Sequence, residues 1–326
     1  MVTSLLILAR VFHLGSGMIL VGVVAFRWLI LLPAFAGEAE EVWQKFMPLF
    51  LRLHQMFIWS GVILVISGLA LFWATSAGMS DTSLIESLNG DALRTVLFQT
   101  QFGFVSQWRI GFAAILGVLM WKLTGSHWQI RRKRSILEIT AGLIAVALMV
   151  SFAWTGHAAA TGGVDFWWRI TADALHLFAA SIWPAGLLPF ALFLVRARRI
   201  GDVSRLHPIL TVASRFSVMS FITVGVLILA GFINGYSLVG SFQALLTTSY
   251  GRVLGLKLSL LFSMLCIAAW NRYHLLPLLF VRGVAPDKKM INPLLQRLQT
   301  FVLAEFGLGF AIVIVVSFLG TTPPPH

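Results

Sequence analysis

Eight apolar runs, each long enough to cross a hydrocarbon core, leave this chain little else to fold into. They fall near residues 3–32, 46–75, 102–122, 136–155, 166–195, 215–236, 252–276 and 298–319, where a spanning helix needs about 20 residues. Every run exceeds the roughly 10 residues of a spanning strand, and none alternates with period two. The sequence therefore predicts an all-α integral membrane protein, a bundle of eight transmembrane helices. Composition agrees: 58% of residues are hydrophobic and only 11% charged, too few charges to cover a water-soluble surface. The first run is expected to be a span, since a cleavable leader has a basic start and a shorter apolar stretch. A single cysteine, Cys266, offers neither an internal disulfide nor a thiolate zinc site. There is no Gly-Lys-Ser/Thr phosphate loop, so nothing points to ATP. No internal repeat stands out.

The net charge of +12 would suit nucleic acid if it formed one patch, but it does not. Arg131, Arg132, Lys133 and Arg134 lie between runs three and four, and Arg196, Arg198, Arg199 and Arg205 between five and six. Arg282, Lys288, Lys289 and Arg297 lie between seven and eight. Basic loops stay on the cytoplasmic side, so both termini are expected to face outward. The partner of this charge is the lipid bilayer, not nucleic acid. The longest outward loop, near 76–101, mixes polar and apolar residues and is expected to form either an interfacial helix or an ordered cover on the bundle.

Ionisable groups inside spans are costly and point to function. Here they gather toward the outer half. His13 lies about ten residues into the first run, and His157 closes the outer end of the fourth. Asp173 and His176 are three apart on the fifth, hence on one helical face, and Trp183 continues that face. Asn234 ends the sixth run and Lys257 sits near the outer end of the seventh. His13, His157 and His176 form a possible metal-ligand set, because imidazole suits copper, zinc, iron and nickel. Asp173 would orient His176 or balance a cation, and Lys257 would pair with Asp173. On the inner half, His54 and Met56 form a second candidate site, and Glu305 is expected to hold Asn271-Arg272. Each histidine also has a plain reading as a helix–helix hydrogen bond.

The strings Gly156-His157-Ala158-Ala159-Ala160 and Asp173-Ala174-Leu175-His176-Leu177-Phe178-Ala179-Ala180-Ser181-Ile182-Trp183 resemble the copper resistance protein D family. So do Arg215-Phe216-Ser217, Gly231-Phe232-Ile233-Asn234, the run Tyr250 to Lys257, Asn271-Arg272-Tyr273 and the closing Gly320-Thr321-Thr322-Pro323-Pro324. The resemblance is strong over 140–325 and looser over the first 135 residues, where His13 matches an early-span histidine. It suggests a three-span part, 1–135, joined to a five-span part, 136–326, within one membrane domain. It implies an eight-span inner-membrane protein that transports or binds copper ion, often beside a periplasmic copper-binding protein. His157, Asp173, His176, Asn234 and Lys257 fall in the family's recurrent strings. One departure is Pro184-Ala185-Gly186 after Trp183, where the family tends to carry an aliphatic residue and two glycines; proline there is expected to bend the helix. The alternative is a haem b redox protein with two histidines as axial ligands. His13 with Phe26 and Pro33 also faintly resembles membrane oxidases of the protoporphyrinogen type.

Overall fold

The computed structural model describes residues 1–125, 135–155, 166–200, 206–239, 241–283 and 288–322. Among them there is no strand, and eight helical segments are long and apolar enough to span: Val2–Ala34, Glu40–Met79, Gln101–Leu123, Ile136–Thr155, Phe166–Ile200, His207–Tyr236, Ser249–Val281 and Ile291–Leu319. We number them spans one to eight. The loop between spans two and three carries a helix, Asp91–Gln99, whose Leu97 carbonyl accepts from the Gln107 side-chain amide of span three at 2.8 Å, and the Trp73 indole holds the segment before it by donating to the Leu84 carbonyl (3.1 Å) and Ser87 hydroxyl (3.0 Å). Proline breaks span five as expected. Its first helix ends at Ile182, a turn covers 183–186, and a second helix runs Leu187–Ile200.

The structure corrects one expectation outright: the chain does contain a repeat. The His13 Nδ1 bonds the Leu64 carbonyl at 3.0 Å, and the His176 Nδ1 bonds the Leu227 carbonyl at 3.1 Å. Both steps are 51 residues. Four residues beyond each carbonyl is a glycine, Gly68 or Gly231, that lies against the ring. His13, Leu64 and Gly68 thus recur 163 residues later as His176, Leu227 and Gly231. The helix starts of spans three and seven also match. The Thr100 hydroxyl donates to Val96 O and accepts from Gly103 N, as the Thr248 hydroxyl does with Ala244 O and Gly251 N. Here the offset is 148, because the preceding connection is shorter in the second half.

The helix packing repeats as well. Span one packs on two and four and crosses onto five and eight; span five packs on six and eight and crosses onto one and four. The halves meet where Gly22 faces the Ser181 carbonyl and Ala185, and positions 22 and 185 are themselves 163 apart. A Cβ on Gly22 would stand 2.8 Å from that carbonyl and 3.1 Å from the Ala185 methyl. The small residue is what lets spans one and five cross so closely. Four spans per half put both halves in the membrane the same way up, so the axis relating them runs along the membrane normal. The repeat boundary falls between spans four and five, while the core is continuous across both halves.

One buried ion pair locks the N-terminal half. Arg27 of span one meets Glu138 of span four at 3.2 Å, each 1% exposed. Ser135 caps the same helix: its hydroxyl accepts from Glu138 N (3.2 Å), and the Glu138 carboxylate accepts from Ser135 N (2.9 Å). Removing one partner strands the other charge in hydrocarbon, a loss of about 3–5 kcal/mol, whereas removing both costs far less. Arg27→Leu and Glu138→Leu are each expected to lower the denaturation midpoint sharply in detergent. The double variant should recover most of the loss, and strictly additive losses would contradict the assignment.

Candidate functional site

Each half presents one histidine from its first span to the carbonyl of its second. A carbonyl can only accept, so Nδ1 carries the proton in both rings and Nε2 keeps its lone pair. Close packing fixes the ring plane: a Cβ at Gly68 would lie 2.9 Å from the His13 ring, and one at Gly231 would lie 3.1 Å from the His176 ring. These are orienting contacts of the kind that ready an imidazole nitrogen for a metal.

The surroundings of the two rings differ in charge. In the C-terminal half, Asp173 sits one turn before His176 and accepts from the Asn234 amide at 3.2 Å. Lys257 of span seven acts electrostatically on both Asp173 and His176. No direct ion pair between Lys257 and Asp173 is present among the described residues. Asn234, not the lysine, is the direct partner that was expected of Lys257. In the N-terminal half, Arg10 occupies the position one turn before His13, and its guanidinium reaches toward Gly320 at the end of span eight. Arg109 stands where the repeat places Lys257. It donates to the Ser151 hydroxyl, the Ser151 carbonyl and the Thr155 hydroxyl, each at 2.8 Å. Its guanidinium covers Phe152 at 4.6 Å, and that ring packs on His13 at 4.7 Å. His13 therefore has one arginine a turn before it and another behind the Phe152 ring, while His176 has one carboxylate and one ammonium.

The other candidates lie elsewhere. Trp183 is 1% exposed at the break in span five. His54 is buried near Arg27, and Met56 packs against the core. His157 lies outside the described residues. Among the described residues, no three His, Cys, Asp or Glu side chains come close enough together to hold a metal. Asn271 does donate to Glu305, but Arg272 turns away to the Ser217 carbonyl (2.8 Å) and hydroxyl (2.7 Å). Sequence reasoning overlooked Arg10, Arg109 and the Arg27–Glu138 pair. The signal for Arg109 was the shared pattern Thr100-Gln101-Phe102-Gly103…Arg109 and Thr248-Ser249-Tyr250-Gly251…Lys257.

Comparison with known proteins covers most of the chain. Residues 1–167 match the family model for the N-terminal domain of copper resistance protein D-like proteins, and residues 210–319 match the model for copper resistance protein D. The chain belongs to the copper resistance protein D family. It is 29% identical to the inner membrane protein YebZ of Escherichia coli (strain K12) over 84% of this chain and 85% of that one. It is 28% identical to copper resistance protein D of Pseudomonas syringae pv. tomato over 69% and 70%, respectively. Identity is 30% to the copper transport protein CutJ of Bacillus subtilis (strain 168), over 72% of this chain but only 39% of that protein. No solved structure matches. Family membership and the eight apolar helices make this a multi-pass inner-membrane protein with a copper-related role.

Selective ¹⁵N labelling of histidine checks the site's chemistry without any metal. At neutral pH, His13 and His176 are each expected to show the Nδ1–H tautomer with an unprotonated Nε2. An Nε2–H tautomer at either position would contradict the carbonyl hydrogen bonds.

Proposed function

We propose that this protein binds copper ion as cargo, and passes it, at an outward-facing intramembrane site in its C-terminal half. The observation that carries this reading is the hydrogen bond from His176 Nδ1 to the Leu227 carbonyl, which leaves Nε2 as a fixed, neutral donor. Asp173 supplies the balancing negative charge and Asn234 holds it. Lys257 offsets Asp173 while the site is empty, since a lone carboxylate in hydrocarbon is expensive. Trp183 at the helix break forms the floor beneath. His157, on the neighbouring span, is proposed as a further ligand. His13 offers the same nitrogen in the other half, but Arg10 and Arg109 oppose a cation there, so copper reaches it only after His176. His54 and Met56 are proposed as an inner-side stop on the route.

Both termini on the outer side, as the basic inner loops suggest, would let a periplasmic copper-binding protein deliver to or collect from this site. Net movement then follows a gradient or that partner.

Purified protein in nanodiscs is expected to bind copper without a Soret band. His176→Ala and Asp173→Asn should weaken binding by roughly 10–100-fold, the usual effect of losing a ligand or its supporting partner. Gly231→Val should do the same by displacing the ring. Gly235→Val, which meets nothing within 4 Å, should not. Parental copper affinity in both His176→Ala and Asp173→Asn would sink the assignment, and a Soret band lost in His176→Ala would replace copper with haem.

A further inference from the structure

The two halves also match at a second place, deeper on the inner side, and there they are filled differently. In the N-terminal half Val24, Arg27, Phe57, Leu123 and Glu138, together with Trp28 and Ala141, enclose a space of only about 10 Å³. The repeat carries Val24, Arg27 and Phe57 to Leu187, Phe190 and Ser220 (163 residues on), and Leu123 to Asn271 (148 residues on). Glu138 corresponds to Glu305, each four residues before a glycine of its span, Gly142 or Gly309. All five counterparts line a cavity of about 290 Å³. Five matching positions thus border a filled space in one half and an open one in the other. Arg27, the cation that occupies the first, is replaced by Phe190, and the Phe57 ring that closes it is replaced by the small Ser220.

The open cavity keeps the carboxylate. Glu305 is 2% exposed and Asn271 8% exposed. The Asn271 amide donates to Glu305, yet the Asn271 Oδ1 and the Ser220 Oγ are buried with no hydrogen-bond partner. Arg272 also borders the space, but its guanidinium is taken up by Ser217 and lies over the Phe221 ring at 4.8 Å. No ion pair to Glu305 is present among the described residues. The remaining wall is apolar and aromatic, with Trp183, Phe190, Phe216 and Phe221. Asn271 and Arg272 sit on a π-helical turn, Asn271–Leu275, as Arg27 does on Phe26–Leu31. Such turns recur at functional sites.

We propose that this cavity is a binding site for a small amphipathic cation, an apolar body carrying one ammonium or guanidinium group. The head group takes the place that the Arg27 guanidinium holds in the other half. It donates to Glu305, the Asn271 Oδ1 and the Ser220 Oγ, which otherwise stay unsatisfied at a cost. The body fills the aromatic wall. At 290 Å³ the cavity is at the small end of ligand sites, which sets the size of the molecule.

The test uses the full chain in nanodiscs, free of copper, with octylguanidinium as probe and octanol as the uncharged control, read by equilibrium dialysis. The parent is expected to bind one octylguanidinium saturably, and octanol only as the lipid does. Glu305→Gln should weaken the probe at least tenfold. Phe190→Arg with Ser220→Phe rebuilds the N-terminal arrangement, so it should abolish probe binding while keeping the parental denaturation midpoint. If that double variant fails to fold, Glu305→Gln alone decides. No saturable binding to the parent, octanol binding as tightly as octylguanidinium, or Glu305→Gln binding like the parent would each overturn the proposal.

Discussion

A polar side chain in hydrocarbon has no water to fall back on, so it must find its partner inside the protein. That constraint places nearly every feature of this bundle. His13 and His176 are tied to backbone carbonyls of the next span, Asp173 to Asn234, Arg109 to Ser151 and Thr155, and Arg27 to Glu138. Each bond joins two spans, so the polar groups that are expensive to bury also fix which helices are neighbours. The apolar residues that make up most of the chain supply close packing but little register, because lipid tails are as apolar as they are.

The repeat shows how one frame serves two purposes. The elements that hold it are small and local: a histidine facing a carbonyl and a glycine, a threonine cap, a cation one helix away. What differs is the charge set inside it. Arg10 and Arg109 make the first half cationic, and Asp173 and Lys257 make the second nearly balanced. Deeper down, the first half is closed by Arg27 and Glu138, whereas the second leaves Glu305 facing an open space.

Much of this was legible in the sequence, and the remainder was hidden for physical reasons. The eight spans could be read from apolar run length alone, and span four matched at both ends, because a bilayer dictates length more strictly than water dictates any surface. The Asp173–His176 face followed from helical spacing. Pro184 announced the break in span five. The repeat was obscured because its two halves share contacts, not composition: the offset slips from 163 to 148 between spans two and three, and the polar pair changes sign from Arg10 to Asp173. The Arg27–Glu138 pair was masked by its separation of 111 residues, which leaves each charge looking alone on its own span. Asn234 as the direct partner of Asp173 required the side-chain geometry of span six, which no pattern in one dimension gives.

The proposed copper site lies in the C-terminal half of the repeat, selected by Asp173 where the other half has Arg10. Copper per chain, counted by elemental analysis on the parent and on Asp173→Arg, tests it most directly. The parent is expected to hold one tightly bound copper and Asp173→Arg none, with the helical content of both unchanged. Two equivalent coppers in the parent, or one retained in Asp173→Arg, would contradict it.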